Sequence, residues 1–254
     1  MTDTHAIRQE AQAAALALLA QTPLFADVSA SALHNLAAGS TLRNYARDEY
    51  LFCAGDQAEY LHVLANGSVQ LCASTSDGRE AVVELLHPYE TFVIATVLTS
   101  QRYLRSARAV EPSRLLLIPT HLLLGELKGN PDLAIALLGS MAQKYRHMVR
   151  EVKSLRLRTA SQRLALYLLQ LVENSGNSSQ AVRLPYEKKI LASRLGMTPE
   201  SFSRALAELR QYNVDVRGDE VRVGDLEQLR AFCRVDQLLD ALEQDLKVML
   251  PTTE

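Results

Sequence analysis

The stretch that decides the architecture spans residues 184–209 and reads LPYEKKILASRLGMTPESFSRALAEL. Apolar residues recur in it at helical spacing on both sides of Gly196, which predicts two short helices. Glycine readily takes the left-handed conformation that ends a helix. Thr198 then supplies an N-cap hydroxyl and Pro199 occupies the first helical position, where its missing N–H costs nothing. The stretch therefore predicts two helices joined by a tight turn.

The second of these helices has an apolar face and a polar face. The apolar face consists of three residues at helical spacing: Phe202, Leu206 and Leu209. The opposite face, at the start of the helix, carries Glu200, Ser203 and Arg204. An arginine there can donate two hydrogen bonds to guanine, and a glutamate can accept one from cytosine. We therefore expect these three residues to read DNA bases. A plain helical hairpin with an exposed Glu200–Arg204 ion pair is the alternative.

The sequence after the second helix supports the DNA-binding interpretation. Residues 214–223 read VDVRGDEVRV and predict a hairpin with Gly218-Asp219 at its tip, which makes it a wing beside the helix. The whole chain has a net charge of −2, yet residues 156–224 contain eleven Arg or Lys against seven Asp or Glu. This positive segment suits phosphate neutralisation. The expected phosphate contacts are Lys188, Lys189, Arg194 and Arg217.

A long helix is predicted upstream, from Pro131 to Leu157. Apolar residues follow one another along it at alternating spacings of three and four: Leu138, Met141, Tyr145, Met148, Val152 and Leu155. Such a two-position stripe is too narrow for a globular core and is typical of a coiled-coil partner helix. We therefore expect a parallel homodimer through this heptad seam. The alternative is a helix that packs on its own β-rich region.

Residues 41–118 have the pattern of an antiparallel β structure. Short β-like runs occur at residues 60–64, 68–72 and 81–85. Asn66-Gly67 and Asp77-Gly78 separate them, and both dipeptides supply the positive φ angles of tight hairpins. The pattern predicts an antiparallel roll or barrel, preceded by a helix over about residues 6–20.

These features together resemble the CRP/FNR superfamily of transcription regulators, over nearly everything from Pro23 to Phe232. The run from Glu200 to Arg204 matches the Glu-x-x-Ser-Arg pattern of the fumarate–nitrate branch, whereas the cyclic-AMP branch has an additional arginine where this chain has Pro199. The chain is most similar to the dissimilatory nitrate-respiration regulators. The resemblance implies a T-T-G-A-T-like half-site in an inverted repeat, with RNA polymerase as a further partner.

The resemblance also implies the fold class and the domain order. The expected fold is α+β: an N-terminal antiparallel β-roll of the double-stranded β-helix, cyclic-nucleotide-binding-like type, a long dimerisation helix and a C-terminal winged helix-turn-helix. The expected boundaries are 1–128 for the N-terminal helix and β-roll, 129–158 for the dimerisation helix, 159–224 for the winged domain and 225–254 for an acidic amphipathic tail. Whether the tail packs internally or contacts a partner stays open.

The signal that the β-roll senses is less readable. Cyclic-nucleotide pockets of the superfamily use a Gly-Glu pair and an Arg-Ser pair, but residues 89–106 contain no glycine, and Arg105-Ser106 falls out of register with the second pair. The first 52 residues contain no cysteine, which excludes the iron–sulfur branch. The nitrate-respiration group includes haem-dependent nitric oxide sensors, so the resemblance implies haem as a candidate cofactor. Its candidate ligands here are His147 and His87.

Other functional classes lack support in the sequence. Three cysteines are too few for a disulfide framework or a four-thiolate zinc site, and no nucleophile, phosphate-loop or metalloprotease motif indicates an enzyme. No export signal or bilayer-length apolar run is present, so we expect a cytoplasmic protein without a membrane partner. The expected regulator binds double-stranded DNA and a small-molecule or gaseous effector. The alternatives are a cyclic-nucleotide-responsive regulator and a regulatory binding module without DNA function.

Overall fold

The computed structural model describes residues 2–74, 80–99, 101–175 and 181–234. The chain divides into two compact units, with the boundary between Lys144 and Tyr145. Each unit has its own apolar core. None of the described helices combines the length and the apolar character that crossing a bilayer requires.

Within the described residues, the N-terminal unit has eight strands, and they form the predicted antiparallel roll. The strands are β1 (Thr41–Tyr45), β2 (Tyr50–Phe52), β3 (Tyr60–Asn66), β4 (Val69–Ser74), β5 (Glu80–Leu86), β6 (Thr91–Phe92), β7 (Ser106–Ala109) and β8 (Ser113–Pro119). They make two four-stranded sheets of order β1-β8-β3-β6 and β2-β7-β4-β5, and every pairing is antiparallel. The apolar residues of both sheets belong to one core, which explains their near-continuous burial in β3, β4 and β8.

A tight turn with a positive φ angle lies at Asn66-Gly67, as predicted, but the predicted hairpin is wrong there because β3 and β4 belong to different sheets and do not pair with each other. Gly67 has a φ of +90°, and a Cβ atom at this position would lie 2.3 Å from Oγ of Ser113 and 2.7 Å from the carbonyl oxygen of Pro112. Both the conformation and the close approach therefore require glycine. The other predicted hairpin turn, Asp77-Gly78, lies outside the described residues.

Four helices accompany the roll: α1 (Thr2–Gln21), α2 (Ala30–Gly39), α3 (Ile94–Leu98) and α4 (Thr120–Leu127), with one 3-10 turn at Pro23–Phe25. The sequence predicted α1. The other three are five to ten residues long, so they contain too few turns to show a helical period. Leu19 and Leu36 are fully buried in the core of the roll, so α1 and α2 cover part of it.

The long helix α5 (Pro131–Leu157) has the predicted bounds and crosses the boundary between the two units. The remaining elements are α6 (Ala160–Ser175), β9 (Ala181–Arg183), α7 (Lys188–Arg194), α8 (Pro199–Leu209), a 3-10 turn (Arg210–Tyr212), β10 (Val214–Arg217), β11 (Glu220–Val223) and α9 (Leu226–Cys233). Strands β10 and β11 form the predicted hairpin, and β9 extends it to a three-stranded sheet of order β10-β11-β9.

The segment after the wing begins with a packed helix. Asp225 caps α9 by accepting a hydrogen bond from the backbone N–H of Gln228 at 2.9 Å. Leu229 and Cys233 are fully buried in the core that also holds Phe202 and Leu209. The part of the expected tail that the structure describes is therefore packed internally. The other apolar positions expected in the tail, Leu239, Leu242 and Leu246, lie outside the described residues.

Candidate DNA-binding interface and sensor site

The turn between α7 and α8 has the predicted backbone geometry. Gly196 has a φ of +64°, and the hydroxyl of Thr198 accepts a hydrogen bond from the backbone N–H of Ser201 at 3.2 Å. Pro199 is at the first position of α8. These features confirm the predicted turn and cap, which together fix where α8 begins.

Arg163 of α6 stabilises the same turn, and the sequence did not predict this role. Its guanidinium donates hydrogen bonds to the carbonyl oxygens of Leu195 at 2.9 Å, Gly196 at 3.2 Å and Arg158 at 2.9 Å. Burial lowers the pKa of Arg163, and the charge of Glu151 opposes that effect. The side chain thus occupies two carbonyl groups just beyond the end of α7 and one just beyond the end of α5, where helical partners are missing. From the sequence alone, Arg163 is only one of the eleven basic residues of the positive segment.

The exposed face of α8 carries the three predicted base-reading residues. Glu200, Ser203 and Arg204 are all exposed, and the opposite face of the helix is buried. The Arg204 guanidinium donates a hydrogen bond to the hydroxyl of Ser201 at 3.2 Å. Ser203 donates its hydroxyl proton to the carbonyl oxygen of Pro199 at 3.0 Å, so its oxygen can still accept a hydrogen bond.

The interaction expected between Glu200 and Arg204 is weaker than an ion pair. Hydrogen bonds from its own backbone N–H and from the Thr198 side chain lower the pKa of Glu200, and the positive charge of Arg204 contributes less. Among the ion pairs of the described residues, none joins Glu200 to Arg204. The alternative interpretation, a plain helical hairpin, was based on that ion pair. The structure therefore gives the alternative no support.

The predicted phosphate contacts fall into two groups. Lys188 and Lys189 are exposed at the start of α7, and Arg217 is 86% exposed at the end of β10, where it contacts Asp215 at 3.0 Å. Arg194 is only 19% exposed, because Glu151 of α5 binds it at 2.9 Å. A phosphate contact by Arg194 would therefore require that ion pair to break, whereas the other three cations are accessible.

Arg183 is a further exposed cation that the sequence did not single out. It lies at the end of β9, its side chain is 81% exposed, and its guanidinium is 4.0 Å from the carboxylate of Asp219 at the tip of the wing. Only the pairing of β9 with β11 places it there. Residues 181–183 are too few to show the alternation that predicts a strand.

The heptad seam of α5 is accessible in the single chain. Its six apolar side chains are between 36% and 63% exposed: Leu138, Met141, Tyr145, Met148, Val152 and Leu155. Large apolar side chains this exposed in a row are unusual on a monomer and mark an interaction surface. Leu155 also lies against the turn before α8, since a Cβ atom on Gly196 would be 2.6 Å from its Cδ2 atom.

Comparison with known proteins agrees with both units. Residues 42–130 match the family Cyclic nucleotide-binding domain, and residues 162–232 match the family Crp-like helix-turn-helix domain. The nitrogen fixation regulation protein FixK of Azorhizobium caulinodans is 30% identical over 190 residues, which are 73% of this chain and 75% of FixK. The chain belongs to the CRP/FNR superfamily of transcription regulators.

Solved structures of other regulators share the fold. A protein from Silicibacter pomeroyi DSS-3 that is described as a cAMP-binding regulatory protein is 31% identical with a TM-score of 0.57, and the match covers 87% of this chain and 99% of that one. FixK2 from Bradyrhizobium japonicum is 23% identical with a TM-score of 0.65, and the match covers 81% and 99%. The β-roll, the long helix and the winged helix-turn-helix of this regulator are therefore those of a CRP/FNR protein.

Arg105 and Ser106 of the β-roll have partners within the roll. Arg105 binds Glu84 at 3.3 Å, and Lys144 binds the same carboxylate group at 2.7 Å. The Ser106 hydroxyl accepts a hydrogen bond from the backbone N–H of Ala54 at 2.9 Å. Both members of the Arg-Ser pair that superficially echoes the pocket are thus engaged within the roll.

The two histidines predicted as haem ligands lie at accessible positions. His147 is on α5, where its Nε2 atom is 3.4 Å from the Arg194 guanidinium and 3.7 Å from the Glu151 carboxylate. His87 is exposed in the turn after β5, where its backbone N–H donates to the Glu90 carboxylate at 3.1 Å. No group of three or more metal-ligating side chains occurs among the described residues.

Proposed function

We propose that this CRP/FNR regulator is a homodimer that reads a T-T-G-A-T-like inverted repeat with Glu200, Ser203 and Arg204 and responds to an effector at its β-roll. The observation that carries the proposal is the capped and exposed N-terminal end of α8. Recognition helices enter the major groove with this end, so the three side chains would meet base edges there.

Arg204 is the residue on which base specificity depends most. A guanidinium can donate to O6 and N7 of one guanine at once, and the Ser201 hydroxyl restricts where the Arg204 side chain points. Glu200 stays ionised because its hydrogen bonds lower its pKa, so it can accept from N4 of cytosine. Ser203 is available for a hydrogen bond or for contact with a thymine methyl group.

The accessible cations around α8 support affinity rather than specificity. Lys188 and Lys189 at the start of α7 and Arg217 on the wing are placed to contact phosphates. Such contacts release counterions, which makes binding depend on salt without distinguishing sequences. Arg194 joins them only if its ion pair with Glu151 opens on DNA.

The test is a binding matrix of variants and duplexes at fixed salt. Arg204→Ala should weaken binding by about 1–3 kcal/mol, and only to duplexes that carry the guanine of T-T-G-A. Lys188→Ala, Lys189→Ala and Arg217→Ala should weaken binding to all duplexes alike and lower the salt dependence. Arg210→Ala, an exposed arginine beyond the far end of α8, is the matched control.

Two results of this matrix would contradict the proposal. If Arg204→Ala weakened every duplex equally, Arg204 would contact the backbone and the assigned specificity would be wrong. If the parent protein bound no T-T-G-A duplex in preference to others, the protein would be a regulatory binding module or a reader of another sequence. RNA polymerase remains the proposed partner of the DNA-bound dimer.

Haem with nitric oxide is the proposed signal, and a cyclic nucleotide is the alternative. Haem sites enclose the macrocycle in a pocket, but His87 is exposed and His147 interacts with Arg194 and Glu151. These two positions do not fit a haem ligand, so the haem proposal rests on the family resemblance alone and requires an axial ligand other than His87 and His147. If the proposal is right, the protein reconstituted with haem should show a stoichiometric Soret band that nitric oxide shifts. Loss of haem during gel filtration would contradict it.

A further inference from the structure

The core of the β-roll contains a histidine with an unsatisfied nitrogen. His62 lies in the middle of β3 and is only 2% exposed. Its Nδ1 atom is the one buried side-chain nitrogen or oxygen of the described residues that has no hydrogen-bond partner. An unsatisfied buried polar atom is costly, and in a native structure it calls for an explanation.

Aromatic rings surround this histidine. The ring of Phe92 stacks on it at 5.0 Å, the ring of Phe52 lies 5.2 Å away, and those of Tyr103 and Tyr60 follow at 6.3 and 6.5 Å. His62 and Phe92 face each other in the pairing of β3 with β6. The imidazole is therefore stacked on the ring of Phe92 and bordered by three further aromatic rings.

The imidazole of His62 is neutral and carries a lone pair on Nδ1. Burial lowers its pKa to about 3, while an interaction with the backbone carbonyl of Tyr60 acts in the opposite direction. A neutral imidazole has one N–H. Because Nδ1 has no partner, the N–H that faces Tyr60 belongs to Nε2. Nδ1 is then a hydrogen-bond acceptor without a donor.

The residue after Phe92 is strained. Val93 has a φ of +62° and a ψ of 22° at the start of α3, a left-handed conformation that is rare for a β-branched residue. Strained backbone and unsatisfied polar groups are retained mainly where function requires them. Here both occur side by side, because Phe92 is the ring that covers His62. Relief of the strain at Val93 is a route by which that ring can move.

We propose that Nδ1 of His62 is a second ligand contact of the β-roll, separate from the proposed haem signal, and that its ligand is a small uncharged molecule with a flat apolar part and one N–H or O–H donor. The buried polar side chains of the described roll are Thr22, His62, Ser68, Gln70, Thr91 and Ser113, and none of them is charged at neutral pH. This core offers no counter-charge to a phosphate or carboxylate. The proposal rests on the proposed function for the role of the roll as the sensor.

The His62 site is distinct from a haem site. Nδ1 is next to the ring carbon that bears Cβ, and this crowds a flat macrocycle far more than it crowds a small donor. The rings of Phe52 and Phe92 both lie close to the imidazole. A small aromatic donor would displace the Phe92 ring, which stacks on it.

The test uses the full chain labelled with ¹⁵N-histidine and two matched pairs of probes: phenol with anisole, and indole with 1-methylindole. The first member of each pair carries a donor that the second lacks. We expect the Nδ1 resonance of His62 in the free protein to show a lone pair without a hydrogen bond. Phenol or indole should shift it saturably towards a hydrogen-bonded value, at an affinity at least about tenfold higher than that of the methylated partner, which corresponds to about 1.4 kcal/mol.

Two variants distinguish loss of the proposed contact from a general disturbance of the core. His62→Leu keeps an apolar side chain of similar size in the core and should remove the preference for the donor. Thr91→Val, a neighbouring buried polar residue in β6, should keep it. The same probes should change the Kd of the parent protein for a T-T-G-A duplex at least about threefold and leave that of His62→Leu unchanged.

The remaining outcomes overturn the proposal. Equal affinities within each probe pair, no saturable binding, or an unchanged preference in His62→Leu would each do so. An Nδ1 atom that is already hydrogen-bonded to a buried water in the free protein and stays so with the probes would as well. If DNA binding itself fails, the proposed function falls, and the probe titrations still decide whether His62 is a ligand contact.

Discussion

At the scale of single residues, His62 is a buried side chain that should destabilise the fold. Most buried groups stabilise the fold, but this imidazole loses its hydration and gains no partner for Nδ1. By contrast Arg163, also removed from water, gives its hydrogen bonds to three carbonyl oxygens. The two residues differ in whether their polar atoms have hydrogen-bond partners. Replacing His62 with an apolar residue should therefore raise the stability of the fold, and replacing Arg163 should lower it.

The pH dependence of stability should reveal the state of His62. The unfolded chain protonates this imidazole below its ordinary pKa of 6.5, whereas the folded protein keeps it neutral because burial lowers the pKa to about 3. The unfolded state thus binds more protons in this window, and the free energy of unfolding falls as the pH is lowered through it. The contribution approaches about 1.4 kcal/mol per pH unit.

His62→Leu should lack this contribution, so its advantage over the parent protein should grow as the pH is lowered from 6.5. Urea unfolding at several pH values measures this difference directly. Thr91→Val removes a buried hydroxyl without a titrating group and should keep the slope of the parent. Equal slopes for the parent and His62→Leu would show that the folded protein accepts the proton.

At the scale of elements, α5 has two kinds of surface. Its seam residues are exposed, as the proposed homodimer requires, and Glu151 binds Arg194 of α7 while Leu155 lies against the turn at Gly196. The same helix therefore carries the proposed dimer surface and contacts α7 and the turn that follows it. The position of α7 and of the turn before α8 depends on how α5 is held.

The dimer seam predicts the effect of a charge at Met148, which is 56% exposed in the single chain. In a parallel homodimer, Met148→Glu would bring like charges together across the seam in a partly dehydrated environment. Sedimentation should show a shift towards monomer, and binding to an inverted repeat should weaken. Gln143→Glu, on the outer side of the same helix, should remain dimeric. A dimer of unchanged affinity in Met148→Glu would show that α5 is not the interface.

At the scale of the whole molecule, the backbone fold of the β-roll does not determine which ligand it binds. The side chains that line the roll decide that. Here residues 42–130 match a cyclic-nucleotide-binding family, yet Arg105 is bound to Glu84 and the segment entering α3 contains Val93 in a conformation that suits glycine. A phosphate would have to displace a carboxylate from Arg105, at the cost of that ion pair.

We therefore expect the regulator to be indifferent to cyclic AMP. Calorimetric titration at millimolar nucleotide should give no heat beyond that of dilution, and its affinity for DNA should not change. Saturable binding in the micromolar range would overturn this interpretation of the roll. Glu84→Gln, which removes the competing charge beside Arg105, is an informative companion variant. It should bind the nucleotide more tightly than the parent if the Glu84 carboxylate is what excludes the phosphate.

The features that the sequence determined by itself are local ones. The cap at Thr198, the glycine turns at Gly196 and Gly67 and the heptad seam of α5 each depend on residues within a few positions of one another. Short-range hydrogen bonds and side-chain periodicity decide them. For the same reason the exposed face of α8, with its candidate base-reading residues, could be predicted from the sequence alone.

Tertiary structure decided the features that join distant parts of the chain. Arg163 donates a hydrogen bond to the carbonyl oxygen of Leu195 and so stabilises the turn. Glu151 binds Arg194 and makes its guanidinium less accessible. Nδ1 of His62 lacks a hydrogen-bond partner next to the ring of Phe92. Each depends on residues that are far apart in the sequence and that only folding brings together. Whether a charge is accessible or a buried nitrogen finds a partner is a property of the packed environment, and no local pattern of residues encodes it.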